Sequence, residues 1–168
     1  MPFAVTHILV PMIQLDIFRD NILKLRKEKL PNRYILLAGL FGLIPDVDIP
    51  ISLIVFGNLS VHRYFTHSLF FPLIFLLASL TFHFLKKQKW FLITLMCFTG
   101  IIIHIFLDFF LLGTVHLFYP LSVSEYGLNL IRLDDPERVM VVFASLDAVL
   151  LFTWFLRMEF KKRIEDIF

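Results

Sequence analysis

Residues 34–57 are apolar and long enough to cross a bilayer, yet their middle reads Leu43-Ile44-Pro45-Asp46-Val47-Asp48-Ile49-Pro50. Each proline removes a backbone donor and kinks a helix. Backbone broken at membrane depth is tolerated only where protein buries it or where it lines a cavity. Two carboxylates coincide with the break, which therefore predicts a broken span built around a site. Ser60-Val61-His62-Arg63-Tyr64-Phe65-Thr66-His67-Ser68 follows at its exit, and His104 and Asp108 return together in the most apolar stretch of the chain.

Composition agrees with a membrane setting. The chain is 58% hydrophobic with 21 Phe, and its mean hydropathy is +0.81. Soluble domains are nearer half apolar. At 168 residues one domain is expected. Full spans are predicted at residues 34–57, 68–85, 90–112 and 139–156. Residues 3–18 are apolar but short against the roughly 20 residues of a span. They read as a short crossing, a re-entrant half-helix or an interfacial helix. Residues 19–33 read as a basic surface piece. The expected fold is an all-α integral membrane helical bundle, a single domain over 1–168, with four or five membrane segments and its first full span broken at Pro45-Asp46. Cys97 is alone, so no disulfide closes within the chain. No cleavable signal peptide, internal repeat or low-complexity tract is evident.

Charge orients the bundle. Arg19, Lys24, Arg26, Lys27, Lys29 and Arg33 share one side with Lys86, Lys87, Lys89 and the tail basics Arg157, Lys161, Lys162 and Arg163. The other side receives only Arg63, Arg132 and Arg138. The positive-inside rule puts the first group in the cytoplasm. A cytoplasmic C-terminus follows, and an N-terminus outside if residues 3–18 cross. At about 1.5 Å per helical residue, Asp46, Asp48, His62, His67, His104, Asp108 and, in the five-segment arrangement, His7 then fall at one depth in the outer half. His83 falls at the inner end and drops out.

Magnitudes favour a cation among these groups. An acid at the centre of a span costs roughly 2.5–3.5 kcal/mol. Asp46, Asp48 and Asp108 unpaired would cost on the order of 10 kcal/mol, comparable to the whole stability of a domain. His104 and Asp108 are i,i+4 neighbours on one helix face, a spacing that suits two ligands of one metal. Without a metal, the same pair reads as a hydrogen bond. Asp46 and Asp48 would face one way in extended backbone; the alternative is a capped turn. On one helix His62 and His67 would diverge by roughly 140°, so they converge only if one precedes the helix, with Thr66 as its N-cap. Arg63 suits an anion such as phosphate, or else only marks topology. Asp147 reads as an orienting partner of a ligand. No Gly-rich phosphate loop, CxxC pair or basic-aromatic nucleic-acid surface is present.

The order His7, Pro45-Asp46-x-Asp48, His62-Arg63-x-x-Thr66-His67-Ser68, His104-x-x-x-Asp108 and Tyr119-Pro120-Leu121-Ser122 resembles the YdjM-like family of prokaryotic inner-membrane proteins, described as membrane-bound metal-dependent hydrolases. The resemblance covers nearly the whole chain. That family is in turn similar, more distantly, to the zinc-dependent phospholipase C and P1 nuclease group. The resemblance implies His7, Asp46, Asp48, His67, His104 and Asp108 as metal ligands, with His62 beside them. Family members usually carry Gly after His-Arg; Tyr64 stands there instead, which predicts a looser turn.

These readings predict a membrane-embedded hydrolase with one or two divalent metals, zinc first among them. Its activated water would attack a phosphoester or other ester bond of a lipid near the outer leaflet. Asp46 or Asp48 would take the proton, and Arg63 would hold phosphate. Membrane lipids are then both environment and substrate, with no nucleic-acid partner. The alternatives are a metal-ion or proton transport protein and a non-catalytic scaffold with a structural metal. Seven ligands fit one closed site or two open ones equally well.

Overall fold

The computed structural model describes residues 4–23, 30–59, 62–131 and 135–161. Among these the chain is all-helical: α1 (Ala4–Phe18), α2 (Asn32–Phe41), α3 (Asp48–Phe56), α4 (Phe70–Phe84), α5 (Gln88–Phe110) and α6 (Pro136–Phe160). A π turn, Arg19–Leu23, extends α1. The rest of the basic stretch, 24–29, lies outside the described residues. The one strand-like feature described is an isolated antiparallel bridge between Val115 and Tyr126.

The break predicted in the first full span is present. Asn32–Phe41 and the helix beginning at Pro45 meet at 41°, across a 3-10 turn, Pro45–Val47. The prolines do less damage than the sequence suggests. Pro45 opens the 3-10 turn and Pro50 sits in the first turn of α3. N–H groups there have no intrahelical partner to lose. α3 stops at Gly57, whose φ of 67° only glycine adopts freely.

By length and composition α5 and α6 can each cross a membrane, and the bent α2–α3 pair makes a third candidate. That is fewer than the four or five segments expected. α1 and α4 have 15 residues each, about 22 Å at helical rise, which is short of a perpendicular crossing.

α5 is central and packs against α4, α2 and α1. Its contact with α2 is close because position 100 is glycine: a Cβ there would lie 2.2 Å from the carbonyl oxygen of Ala38. α1 approaches the helix break in the same way, since a Cβ on Gly42 would lie 2.2 Å from the His7 carbonyl. Such small residues let helix backbones approach where there is no hydrophobic drive to join them. Leu9, Met12, Tyr34, Ile35, Ala38 and Met96 fill the resulting core.

α6 lies against α1 and is pinned to it at two levels. Thr6 donates a hydrogen bond to Asp147. Ten residues further along both helices, Arg157 grips Asp16 through Nε at 2.9 Å and Nη2 at 2.6 Å. Both pairs have a sequence separation of 141, so α1 and α6 run parallel. The segment after α5 folds back over the end of that helix. The N–H groups of Leu128, Leu130 and Ile131 donate to the carbonyls of Phe109, Phe110 and Leu111, which satisfies acceptors a helix end leaves open.

Candidate metal centre

Asp46, His67, His104 and Asp108 converge, each offering one ligand atom within 4.8 Å of the others. Nε2 of His67 lies 3.5 Å from Asp46 Oδ1 and 3.4 Å from Asp108 Oδ2. Nε2 of His104 lies 3.6 Å from the same two oxygens, and the two imidazole nitrogens are 3.1 Å apart. The helix break supplies Asp46, the loop before α4 supplies His67, and α5 supplies His104 and Asp108 one turn apart. His67, His104 and Asp108 are fully buried, while the Asp46 side chain is 22% exposed.

Hydrogen bonds on the far side of each ring fix what the rings present to one another. His104 Nδ1 is 2.7 Å from the Gly42 carbonyl. A carbonyl only accepts, so that nitrogen carries the proton and Nε2 of the neutral ring turns its lone pair inward. Thr66 donates its hydroxyl to Asp48 Oδ2 at 2.6 Å. Its oxygen is then left to accept from His67 Nδ1 at 3.1 Å, and Nε2 of His67 also faces inward with a lone pair. Two lone pairs and two carboxylate oxygens thus meet at one point. A proton on His67 would answer one of these contacts; a divalent cation answers all four.

The spacing fits such an ion. Ligand atoms about 2.0–2.2 Å from a tetrahedral centre stand about 3.3–3.6 Å apart, against 3.1–3.6 Å for five of the six pairs here and within 4.8 Å for the two carboxylate oxygens. Among the described residues, Asp46 Oδ1, both Asp108 oxygens and both His7 nitrogens are buried with no hydrogen-bond partner. Each such group costs about 1–3 kcal/mol if nothing binds it.

The remaining expected residues sit around this group. His7 stacks on His104 with ring centroids 3.9 Å apart, and its Nε2 is 3.6 Å from Asp108 Oδ1, the other carboxylate oxygen. It therefore adjoins the cluster without joining the four. Asp46 and Asp48 do not face one way, as extended backbone would require. The 3-10 turn and helix between them are helical, and side chains two apart in helical backbone diverge. Asp46 turns to the cluster, whereas Asp48 turns behind His67, its Oδ2 being 3.5 Å from His67 Nδ1. The His67 ring lies between the two carboxylates, one nitrogen toward each.

Asp48 is engaged by its surroundings. It bonds His62 Nδ1 at 2.7 Å and accepts from the Arg63 amide at 3.0 Å and from the Thr66 hydroxyl. Asp48, His62 and His67 could also group around an ion, but Asp48 and His62 already bond one another. Thr66 does not cap α4; the cap position is Leu69, with no side-chain bond. Arg63 takes the left-handed conformation, φ 68°, one residue before the position where the family usually has glycine. The left-handed residue is thus the arginine itself, and Tyr64 is free to stack on His116 at 4.3 Å. Arg63 Nη1 donates to the Thr114 carbonyl at 3.0 Å, and Nη2 reaches to 3.6 Å from Asp108 Oδ2. Its Nε and Nη2 have no hydrogen-bond partner among the described residues. Asp147 accepts from Thr6, one residue from His7, and so ties α6 to the helix that carries His7.

A model of the YdjM inner membrane proteins matches residues 1–163. The chain belongs to the YdjM inner membrane protein family. With its apolar helices, that membership makes this chain a membrane protein. No curated protein and no solved structure gives a significant match to it. That match gives a location and no reaction, so the chemistry rests on the residues above.

Residues behind a metal ligand fix its ring orientation and raise its basicity, and losing one costs about 10–100-fold in metal affinity. Asp48→Asn is expected to weaken metal binding by about that factor while leaving the fold intact. Competition against a chelating dye measures it; unchanged affinity would remove Asp48 from this role.

Proposed function

We propose that this protein is a membrane-embedded metal-dependent hydrolase acting on an ester bond of a membrane lipid, a phosphoester first. The carrying observation is the convergence of Asp46, His67, His104 and Asp108, with partnerless carboxylate oxygens, beside an arginine that has donors to spare. These four would hold the cation, and His7 beside Asp108 could help hold a second. A divalent cation there supplies Lewis acidity and brings the pKa of a water toward neutrality. Zinc suits a site of imidazole and carboxylate ligands.

Arg63, whose side chain is 15% exposed, binds the phosphate by turning its guanidinium from Asp108 toward the ligand. Asp46 is the member of the four open to the outside, and it takes the proton of the attacking water. The water oxygen bonds phosphorus, the bond to the lipid oxygen breaks, and the proton passes to that leaving oxygen. Asp48 keeps the His67 ring in place. Four ligands would fill a tetrahedral ion, so hydrolysis requires a further position for water, and the partly exposed Asp46 marks the side on which it would enter.

The site belongs at the outer leaflet. α5 runs from Lys86 and Lys87 toward His104, and α1 and α6 run from the level of the site toward Asp16 and Arg157. The basic residues gather at the far end, which the positive-inside rule assigns to the cytoplasm. α1 and α4 then serve as short or tilted membrane segments, giving five with the broken pair counted once.

The test is hydrolysis of a phospholipid by metal-loaded protein in detergent. Arg63→Lys is expected to keep the metal and lower kcat/KM about 100-fold. Fully loaded protein that releases neither headgroup nor fatty acid from any phospholipid would sink the reading. Metal or proton flux in liposomes would favour transport.

A further inference from the structure

A groove of about 520 Å3 runs beside the turn that carries Asp46. Ile44, Val47, Ile51, Phe65, Phe71 and Tyr119 supply most of its wall. Asp48 and Thr66 also line it, but they are bonded to each other at 2.6 Å, so the groove offers carbon and little else. A peptide or a second protein chain laid in it would find few partners for its backbone N–H and C=O groups. An acyl chain needs none. The volume falls in the range of roughly 300–1,000 Å3 that encloses small ligands.

Two chain-adjacent pairs join the groove to the metal centre. Val47 lines the groove and follows Asp46; Tyr64 lines it and follows Arg63. Each pair turns an apolar side chain to the groove while its neighbour offers charge to the centre. The Arg63 side chain is 15% exposed, and its buried Nε and Nη2 lack a hydrogen-bond partner among the described residues, Nη2 lying 3.6 Å from Asp108 Oδ2. A ligand matching both halves carries an anionic group at one end and a hydrocarbon chain at the other. In a protein with helices of membrane-spanning length, a phospholipid is the molecule of that kind in contact with the surface.

We infer that this groove holds one acyl chain of a phospholipid whose phosphate lies at Arg63 and the Asp46–His67–His104–Asp108 cluster. The inference deepens the hydrolase reading and rests on it for the fate of the phosphate, not for the seating of the chain. Val47, Ile51 and Phe71 then set which chains fit.

Delipidated protein in detergent is titrated with palmitoyl-oleoyl phosphatidylglycerol, and bound lipid is counted by native mass spectrometry. Ile51→Trp and Val47→Trp fill the groove from positions 52% and 45% exposed, so neither disturbs the core. Both are expected to weaken binding about tenfold or more while metal content stays at the wild-type level. Ile54→Trp, 84% exposed and outside the groove, is expected to bind as wild type. Equal binding by all three variants, or equal affinity for glycerol 3-phosphate, would overturn the inference. The two readings fail separately. Lipid held through the groove but never hydrolysed leaves the groove standing without the hydrolase. Hydrolysis unaltered in both groove variants does the reverse.

Discussion

Protein purified without chelators is expected to carry stoichiometric metal, and His104→Ala or Asp108→Ala to lose it. The loss should exceed the roughly 10–100-fold that follows from removing a partner behind a ligand. His104 contributes one of the two inward lone pairs and is fixed by the Gly42 carbonyl. Asp108 is fully buried, with both oxygens unpartnered and His7, His67, His104 and Arg63 around it. His83, which packs on Phe91 with ring centroids 5.2 Å apart, gives a control whose alanine variant keeps the metal. Elemental analysis after gel filtration reads all three. Metal-free wild type would reduce the cluster to a set of histidines and carboxylates sharing protons.

The second large effect concerns packing. Gly100→Val places branched carbon where even a Cβ would lie 2.2 Å from the Ala38 carbonyl and 2.8 Å from the Gly42 nitrogen. Both contacts are backbone, so no rotamer change relieves them, and α2 and α5 must separate. Overpacking of this kind costs about 1–3 kcal/mol and occasionally more; the upper end is expected here. Gly42 also holds the His104 ring, so the variant should lose metal affinity along with stability. A denaturant or thermal melt in detergent, compared with and without added metal, measures both. A stable variant with wild-type metal content would show that the two helices have room to spare.

Much of the centre was legible because burying charge in lipid is expensive. Asp46, His67, His104 and Asp108 stood out as ionisable groups in apolar sequence, and shared depth was enough to group them. Depth does not give direction around a helix axis. Asp46 and Asp48 face one way only if the broken segment is extended, and the sequence leaves a turn open there as the alternative. The backbone there is helical, and two residues of helix send the carboxylates to opposite sides of one imidazole. Thr66 was legible as a polar residue before a helix, but its hydroxyl found a buried carboxylate 18 positions away, which local capping logic does not see. The glycines at 42 and 100 were not singled out, although small residues inside apolar spans are a signal of close helix approach. The Arg157–Asp16 grip is not legible in the sequence, because each residue alone reads as an ordinary charge near a span end. Segment count is the weakest reading: residues 3–18, already short, give a helix of 15, and the longer run 68–85 gives another of 15 because turns claim its ends.

The parallel course of α1 and α6 sets an order of events during biosynthesis. Helices that run the same way cannot form as a hairpin, and here α2 to α5 are made between the two partners. Thr6 meets Asp147, and Asp16, already paired with Arg19, gains Arg157, only after α2 to α5 have been made. The helix that brings His7 to the site is held first by α2 and α5, and a chain interrupted before Arg157 would carry every ligand of the cluster without the clamp that ties α1 to α6.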